Sequence, residues 1–279
     1  MRYIALVCVL ITSLSGIAAA EDTKAEDLVT KHLDSIGTPE ARAAVKSCAV
    51  QGALRFRIVI GGQGDVTGTW GRVSEQHKSN FVMKFPGIEW KGERFAFDGD
   101  KTSFAAYTAS HKRSEFGEFV SSQEFIVKEG LLGGELSTDW ALENLDRKRV
   151  KLNYLGIKKI GDHELEGIEY FSKGNPDMSV KLYFDPESHH HVMTVYSLSE
   201  GAIIGHEARN AGREQDIHRT IEEHFSNFQT DNGITLPRHY DLEYRRETLD
   251  GSNRIYDWDM TADKILTNLS LDPANFQVK

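Results

Sequence analysis

Residues 217–260 read IHRTIEEHFSNFQTDNGITLPRHYDLEYRRETLDGSNRIYDWDM, and this stretch decides the fold. Apolar and polar residues alternate along it, and the alternation is broken at Asn232-Gly233 and Asp250-Gly251. Asn-Gly and Asp-Gly supply the positive φ angles of a two-residue hairpin turn, so each pair marks a strand folding back on its neighbour. Asp98-Gly99 repeats the signal in the first half of the chain. A chain punctuated in this way builds one long antiparallel sheet.

The same period of two runs outward from there. Val50, Leu54, Phe56, Ile58 and Ile60 share one face against Gln51, Arg55 and Arg57. Val66 with Trp70, then Phe81, Met83 and Phe85, then Phe95 and Phe97, repeat the pattern. After a gap come Val150, Leu152 and Tyr154, a turn at Gly161-Asp162, and Leu165 to Ser172. A turn at Asn175-Pro176 leads to Val180, Leu182 and Phe184, and Val192 to Leu198 follows. Three strands, roughly Ile217 to Phe228, Leu236 to Arg246 and Asn253 to Met260, complete the set, ahead of an apolar segment from Ile265 to Leu271. One face of each strand is wet and the other rich in aromatic residues.

Two segments depart from this period. Ala25, Leu28, Val29, His32, Leu33 and Ile36 recur at helical spacing, with Gly37 as a stop and Thr38-Pro39 opening a second short helix toward Lys46. Between Ser114 and Leu145, Phe119, Val120, Phe125 and Ile126 fit an amphipathic helix ending at Gly130. Leu131-Leu132-Gly133-Gly134 is hinge-like, and Ser137 to Leu145 reads as a further short helix. Such an insertion is either a lid over the sheet's concave side or ordinary helix-on-sheet packing.

The N-terminus has the form of an export signal: Met1-Arg2, an apolar core from Ile4 to Leu14, and Ala18-Ala19-Ala20 before Glu21. Residues 1–20 are therefore expected to be removed, leaving residues 21–279 as one domain. Ile17 stands where a lipidation box after Leu14-Ser15-Gly16 needs Cys, so no lipid anchor is expected. Cleavage takes Cys8 and leaves Cys48 alone, which rules out an intrachain disulfide. A formal net charge of −9 argues against nucleic acid and anionic headgroups as partners.

Motifs for chemistry are sparse. His189-His190-His191 follows a turn, and adjacent strand residues point to opposite faces, so a solvated hairpin tip is expected rather than a metal centre. His218, Glu222 and His224 share a strand face that needs no metal to explain it. No Gly-x-Ser-x-Gly elbow and no His-Glu-x-x-His pair occurs. Cys48 reads as a small buried side chain. No catalytic residue, metal or cofactor is expected. What remains is the apolar face, because a strongly curved sheet with aromatic walls can leave a cavity.

The order of features (HLDSIGTPEARAAVKS, FAFDGDK, the helical insertion, IGDHELEGIEYF, VKLYFDPES, DNGITLPRHYDLEY and KILTNLSLDPANF) resembles the LolA-like superfamily of periplasmic lipoprotein and lipid carriers. That resemblance implies a mainly β, half-open antiparallel barrel wrapped around short helices that act as a lid. It implies a soluble periplasmic carrier without catalysis, binding acyl chains of lipoproteins or lipids between an inner-membrane donor and an outer-membrane acceptor. The alternative on the same fold is a non-transport envelope sensor or interaction module. A hydrolase with a His-based metal site is a weaker third reading. Carrier walls are expected from Phe56, Ile58, Trp70, Phe81, Met83, Phe85, Phe95 and Phe97, with Leu152, Tyr154, Leu182, Phe184, Tyr240 and Tyr244 on the second half. Phe119, Ile126 and Leu131 belong to the expected lid. An arginine that ties the lid shut is also implied, with Arg55 and Arg57 as the candidates by position.

Overall fold

In the computed structural model, residues 14–87, 91–106, 112–145, 150–172, 174–201 and 216–277 are described. Most of the expected export signal lies outside them, as do Arg149, where the sequence pattern has strands resume, and most of Ser199 to Gln215, which reads as a polar stretch between strands. Among the described residues, no helix is long and apolar enough to cross a membrane.

The alternating segments form a 13-stranded antiparallel sheet. In the first half the strands are β1 (Ser47–Ile60), β2 (Asp65–Glu75), β3 (Lys78–Lys84), β4 (Gly92–Phe97) and β5 (Thr102–Ala106). In the second half they are β6 (Lys151–Ile160), β7 (His163–Phe171), β8 (Ser179–Phe184), β9 (His191–Glu200), β10 (Ile217–Asp231), β11 (Ile234–Thr248), β12 (Arg254–Thr261) and β13 (Lys264–Thr267). The order across the sheet is β5-β4-β3-β2-β1-β12-β11-β10-β9-β8-β7-β6, with β13 on β1. Every connection joins neighbours except the return from β5 to β6 at the far edge and the step from β12 to β13, which pairs with β1. Since β5 and β6 do not pair, the sheet curls without closing.

The hairpin dipeptides all lie between paired strands, but only one makes the two-residue turn. Asn232 and Gly233 take φ 53° and 78°, and Asp231 pairs directly with Ile234. At Asp98 the carboxylate instead accepts the backbone N–H of Asp100 and Lys101, which makes a longer side-chain-capped turn. Asp250 does the same for Ser252. A short acceptor side chain competes with the tight backbone turn here and wins.

Helix α1 (Leu14–Ile36) packs on β6 and β11. Helix α2 (Pro39–Ala44) starts as expected, with Thr38 Oγ1 accepting the Ala41 N–H, and ends before Lys46. The insertion becomes α3 (Glu115–Ser122), α4 (Phe125–Lys128) and two 3-10 turns, Gly134–Leu136 and Ala141–Asn144, rather than longer helices. The break falls at Gln123, and Gly130, Gly133 and Gly134 all take positive φ.

Long β1 pairs with β13 through Cys48–Gln51 and with β12 from Leu54 onward. Gly52 sits where the β12–β13 connection crosses it, and a Cβ there would lie 1.6 Å from the Thr261 carbonyl oxygen. That oxygen also accepts the indole N–H of Trp70 at 2.8 Å, so it cannot retreat freely. Gly52→Ala should therefore cost about 3 kcal/mol or more, read as a lowered urea midpoint; an unchanged midpoint would contradict the crossing.

Candidate functional site

The concave face of the sheet and residues 112–145 form one interior. From the sheet come rows of inward residues at alternate positions, such as Tyr240, Leu242 and Tyr244 on β11 facing Phe225, Glu223 and Ile221 on β10. From the insertion come Phe116, Phe119, Val120, Ile126, Leu131, Leu132, Leu136 and Trp140, all at most 4 % exposed. Phe116 stacks at a tilt on Trp258 at 4.8 Å between centroids and meets Phe95 edge-on at 5.6 Å. Phe119 lies 5.8 Å from Tyr244. The insertion acts as a plug in the trough, while α1 packs on β6 at one edge.

Of the 17 residues expected to form walls and lid, 14 are buried in this one core. Phe56 and Tyr154 are half-buried against its margin, while Ile58 is half-exposed and outside the core cluster. The expected residues are thus brought together, but they touch one another and the plug rather than an open hollow. The hollow beside the plug, reached by Cys48, Glu135 and Leu236, measures ≈ 50 Å³. Ligand cavities run to about 300–1,000 Å³, so this one is too small for an acyl chain.

Polar contacts fix the plug to four strands. Arg72 on β2 is buried, and its guanidinium donates to the Leu132 carbonyl. Glu223 on β10, fully buried, accepts the Gly133 N–H at 2.6 Å, Tyr240 Oη–H at 2.5 Å and Tyr196 Oη–H at 2.6 Å. Burial raises its carboxyl above the ordinary value, while those three donors and nearby Arg72 oppose the rise. Glu93 on β4 accepts from Ser114, the N-cap of α3, at 2.6 Å from Oγ and 3.2 Å from the N–H. Glu129 at the end of α4 accepts Tyr170 Oη–H and Ser172 Oγ–H, each at 2.8 Å. Ser74 Oγ on β2 accepts the Thr138 N–H at 3.0 Å.

Neither expected arginine reaches the insertion; the one that does is Arg72, which donates to the Leu132 carbonyl. Arg55 instead pairs with Asp65 at 2.6 Å and Arg57 with Asp257, both on the outer face. Sequence reasoning missed Arg72 although its register is suggestive: it shares a strand face with buried Trp70 and Ser74.

The histidine tract is also corrected. His189 takes φ 58°, His190 stacks on Phe228 at 4.3 Å, and His191 is fully buried. The tip is not solvated because α1 lies on it: His32 Nδ1 donates to the His189 carbonyl at 3.2 Å and His32 Nε2 accepts from Trp140 Nε1–H at 3.0 Å. Burial pushes His32 down to about 3 and His191 well below its ordinary value, so both rings are neutral. Glu135 Oε2 faces them at 3.6 and 3.9 Å without a hydrogen bond. Burial, with Glu143 nearby, holds that carboxyl well above the usual range. Cys48 is buried as expected, its thiol pushed up to about 11.

Burial raises Glu93 from 4.5 to about 7. Its folded-state contribution is therefore complete below pH 4.5 and is lost as pH rises through 7. Glu135 and Glu223 shift in the same direction. Glu93→Gln, whose amide can donate to Ser114 Oγ, should flatten the fall in stability between pH 4.5 and 8 by up to about 3 kcal/mol. Urea denaturation across that range measures it, and an unaltered slope would mean Glu93 is ionised in the fold.

Comparison with solved structures finds distant likenesses, each with a TM-score below 0.5. The chain is similar to a LolA superfamily protein from Nitrosomonas europaea, at 14% identity over 91% of this chain and 97% of that one, with a TM-score of 0.47. A putative outer membrane lipoprotein-sorting protein domain from Vibrio parahaemolyticus gives 12% identity over 90% and 97%, with a TM-score of 0.48. A DUF1329 family protein from Desulfovibrio piger gives 10% identity over 92% and 97%, with a TM-score of 0.41. No family model matches the chain, and no curated protein does. The fold itself is a large antiparallel sheet left open and packed around short helices.

Proposed function

We propose that this chain is an exported, periplasmic carrier of acyl chains, seen here with its lid closed. The observation that carries the reading is the plug: an apolar trough occupied by a segment that the sheet grips at its backbone. Arg72 and Glu223 hold the adjoining peptide groups of Leu132 and Gly133, one through a carbonyl and the other through an N–H. Such grips keep a segment in place whatever its side chains, and they release together when it swings out. The vacated trough would offer acyl chains the faces of Trp70, Phe81, Tyr240, Tyr244, Leu182 and Phe184.

Cargo must offset the apolar contacts that the plug gives up. At about 0.8 kcal/mol per buried CH₂, a sixteen-carbon chain gains roughly 13 kcal/mol before ordering costs. That is enough to displace part of the plug but not to unfold the sheet. The carrier acts by binding alone, taking a lipoprotein or lipid from an inner-membrane donor and yielding it to an outer-membrane acceptor. A second reading, an envelope interaction or sensing module, is favoured by the same tight interior if the plug never leaves.

A fluorescent sixteen-carbon fatty acid separates the two. Saturable uptake by the wild type is expected, at least several-fold tighter in Arg72→Met. Because that variant can fold poorly, a Ser74→Cys/Thr138→Cys pair provides the converse: oxidised, it pins the plug to β2 and abolishes uptake, and reductant restores it. No uptake by any form, or uptake indifferent to the cross-link, would leave the interaction module.

A further inference from the structure

The outer face carries a second cluster that the plug and trough do not use. Asp241 on β11 and Asp259 on β12 stand directly opposite one another, and like charges so placed destabilise a sheet. Arg55, directly opposite Asp259 on β1, is turned to Asp65 instead. Among the described residues, no lysine or arginine pairs with either aspartate. Their shared neighbour is His239, whose Nε2 lies 3.0 Å from Asp259 Oδ1 and 3.5 Å from Asp241 Oδ1.

We propose that His239, Asp241 and Asp259 form a binding site for a divalent transition ion of the zinc class. Two ligands each about 2.1 Å from one ion, at octahedral to tetrahedral angles, stand about 3.0–3.4 Å apart. The imidazole nitrogen already stands near that spacing from both carboxylates, and all three ligand atoms lie within 4.8 Å of one another. His239 Nδ1 lies 3.2 Å from Ser226 Oγ; when Nδ1–H donates there, Nε2 turns its lone pair toward the carboxylates. That is how the second ring nitrogen of a metal-bound histidine is usually held. Imidazole with two carboxylates suits zinc, nickel or cupric ions better than calcium or magnesium. All three residues sit on paired strands, which preorganises them, and all are part-exposed, which leaves room for water in the remaining positions.

Directly opposite Asp241 on β10 is His224, which is paired with Glu222 at 3.5 Å. Glu243 and Asp257 flank the cluster on β11 and β12 and are engaged by Arg245 and Arg57.

Isothermal titration of the full folded chain with Zn²⁺ at pH 7.5 tests the assignment. One equivalent should bind with a micromolar or tighter constant, and excess Mg²⁺ should not compete. His239→Ala and Asp259→Asn should each weaken binding at least tenfold, and Ser226→Ala by a smaller factor. Zinc should raise the melting temperature of the wild type but not of His239→Ala. Metal-free Asp259→Asn should melt no lower than wild type, because it removes a repulsion. No saturable binding below 100 µM, or binding that survives both ligand substitutions, would overturn the site; a lower metal-free melting temperature for Asp259→Asn would assign His239 to a simple ion pair.

Discussion

Glu223 is the interaction on which the interior depends. A carboxyl with no access to water is costly unless its oxygens are saturated by donors. Here two tyrosines of the sheet supply two of them and the backbone of Gly133 supplies the third. The plug is therefore part of what makes that carboxyl tolerable in the core, and the carboxyl is part of what holds the plug. Arg72, fully buried on β2 and donating to Leu132, makes the same bargain with the opposite charge. Together they recognise peptide groups rather than side chains.

The need for a plug follows from the sheet's geometry. A twelve-strand path with unpaired edges curls but leaves an apolar trough. Helical turns from the β5–β6 return fill it, since that connection is the one that must travel from edge to edge. Glycines at 130, 133 and 134 let the chain take left-handed turns within the packed space. A Cβ at Gly130 would meet the Asp139 carbonyl at 1.7 Å, and one at Gly133 would meet Arg72. Burying peptide groups this deeply requires local partners for each, which explains why polar residues sit on an otherwise oily face.

Much of this was legible in the residues. Alternation located the strands because one face is buried along nearly the whole sheet, and Thr38-Pro39 set the start of α2 through ordinary capping. The polar ties were half-legible. Arg72 shares a face with Trp70, Glu93 with Phe95 and Phe97, and Glu223 with Ile221 and Phe225, so each charge stands in an apolar register. Their partners were not, because Gly133 lies 90 residues from Glu223 in sequence and only packing joins them. Filling was likewise invisible: inward aromatic residues look the same whether they wall a hollow or touch across it. The histidine tip misled for a related reason, since the helix that buries it comes from more than 150 residues upstream.

Displacement of the plug by acyl chains is the central claim, and amide hydrogen exchange tests it most directly. With a sixteen-carbon fatty acid in excess, the amides of residues 131–136 should exchange faster, while the β10–β11 ladder keeps its protection. Unchanged or slower exchange across 131–136 at saturating fatty acid would contradict the account.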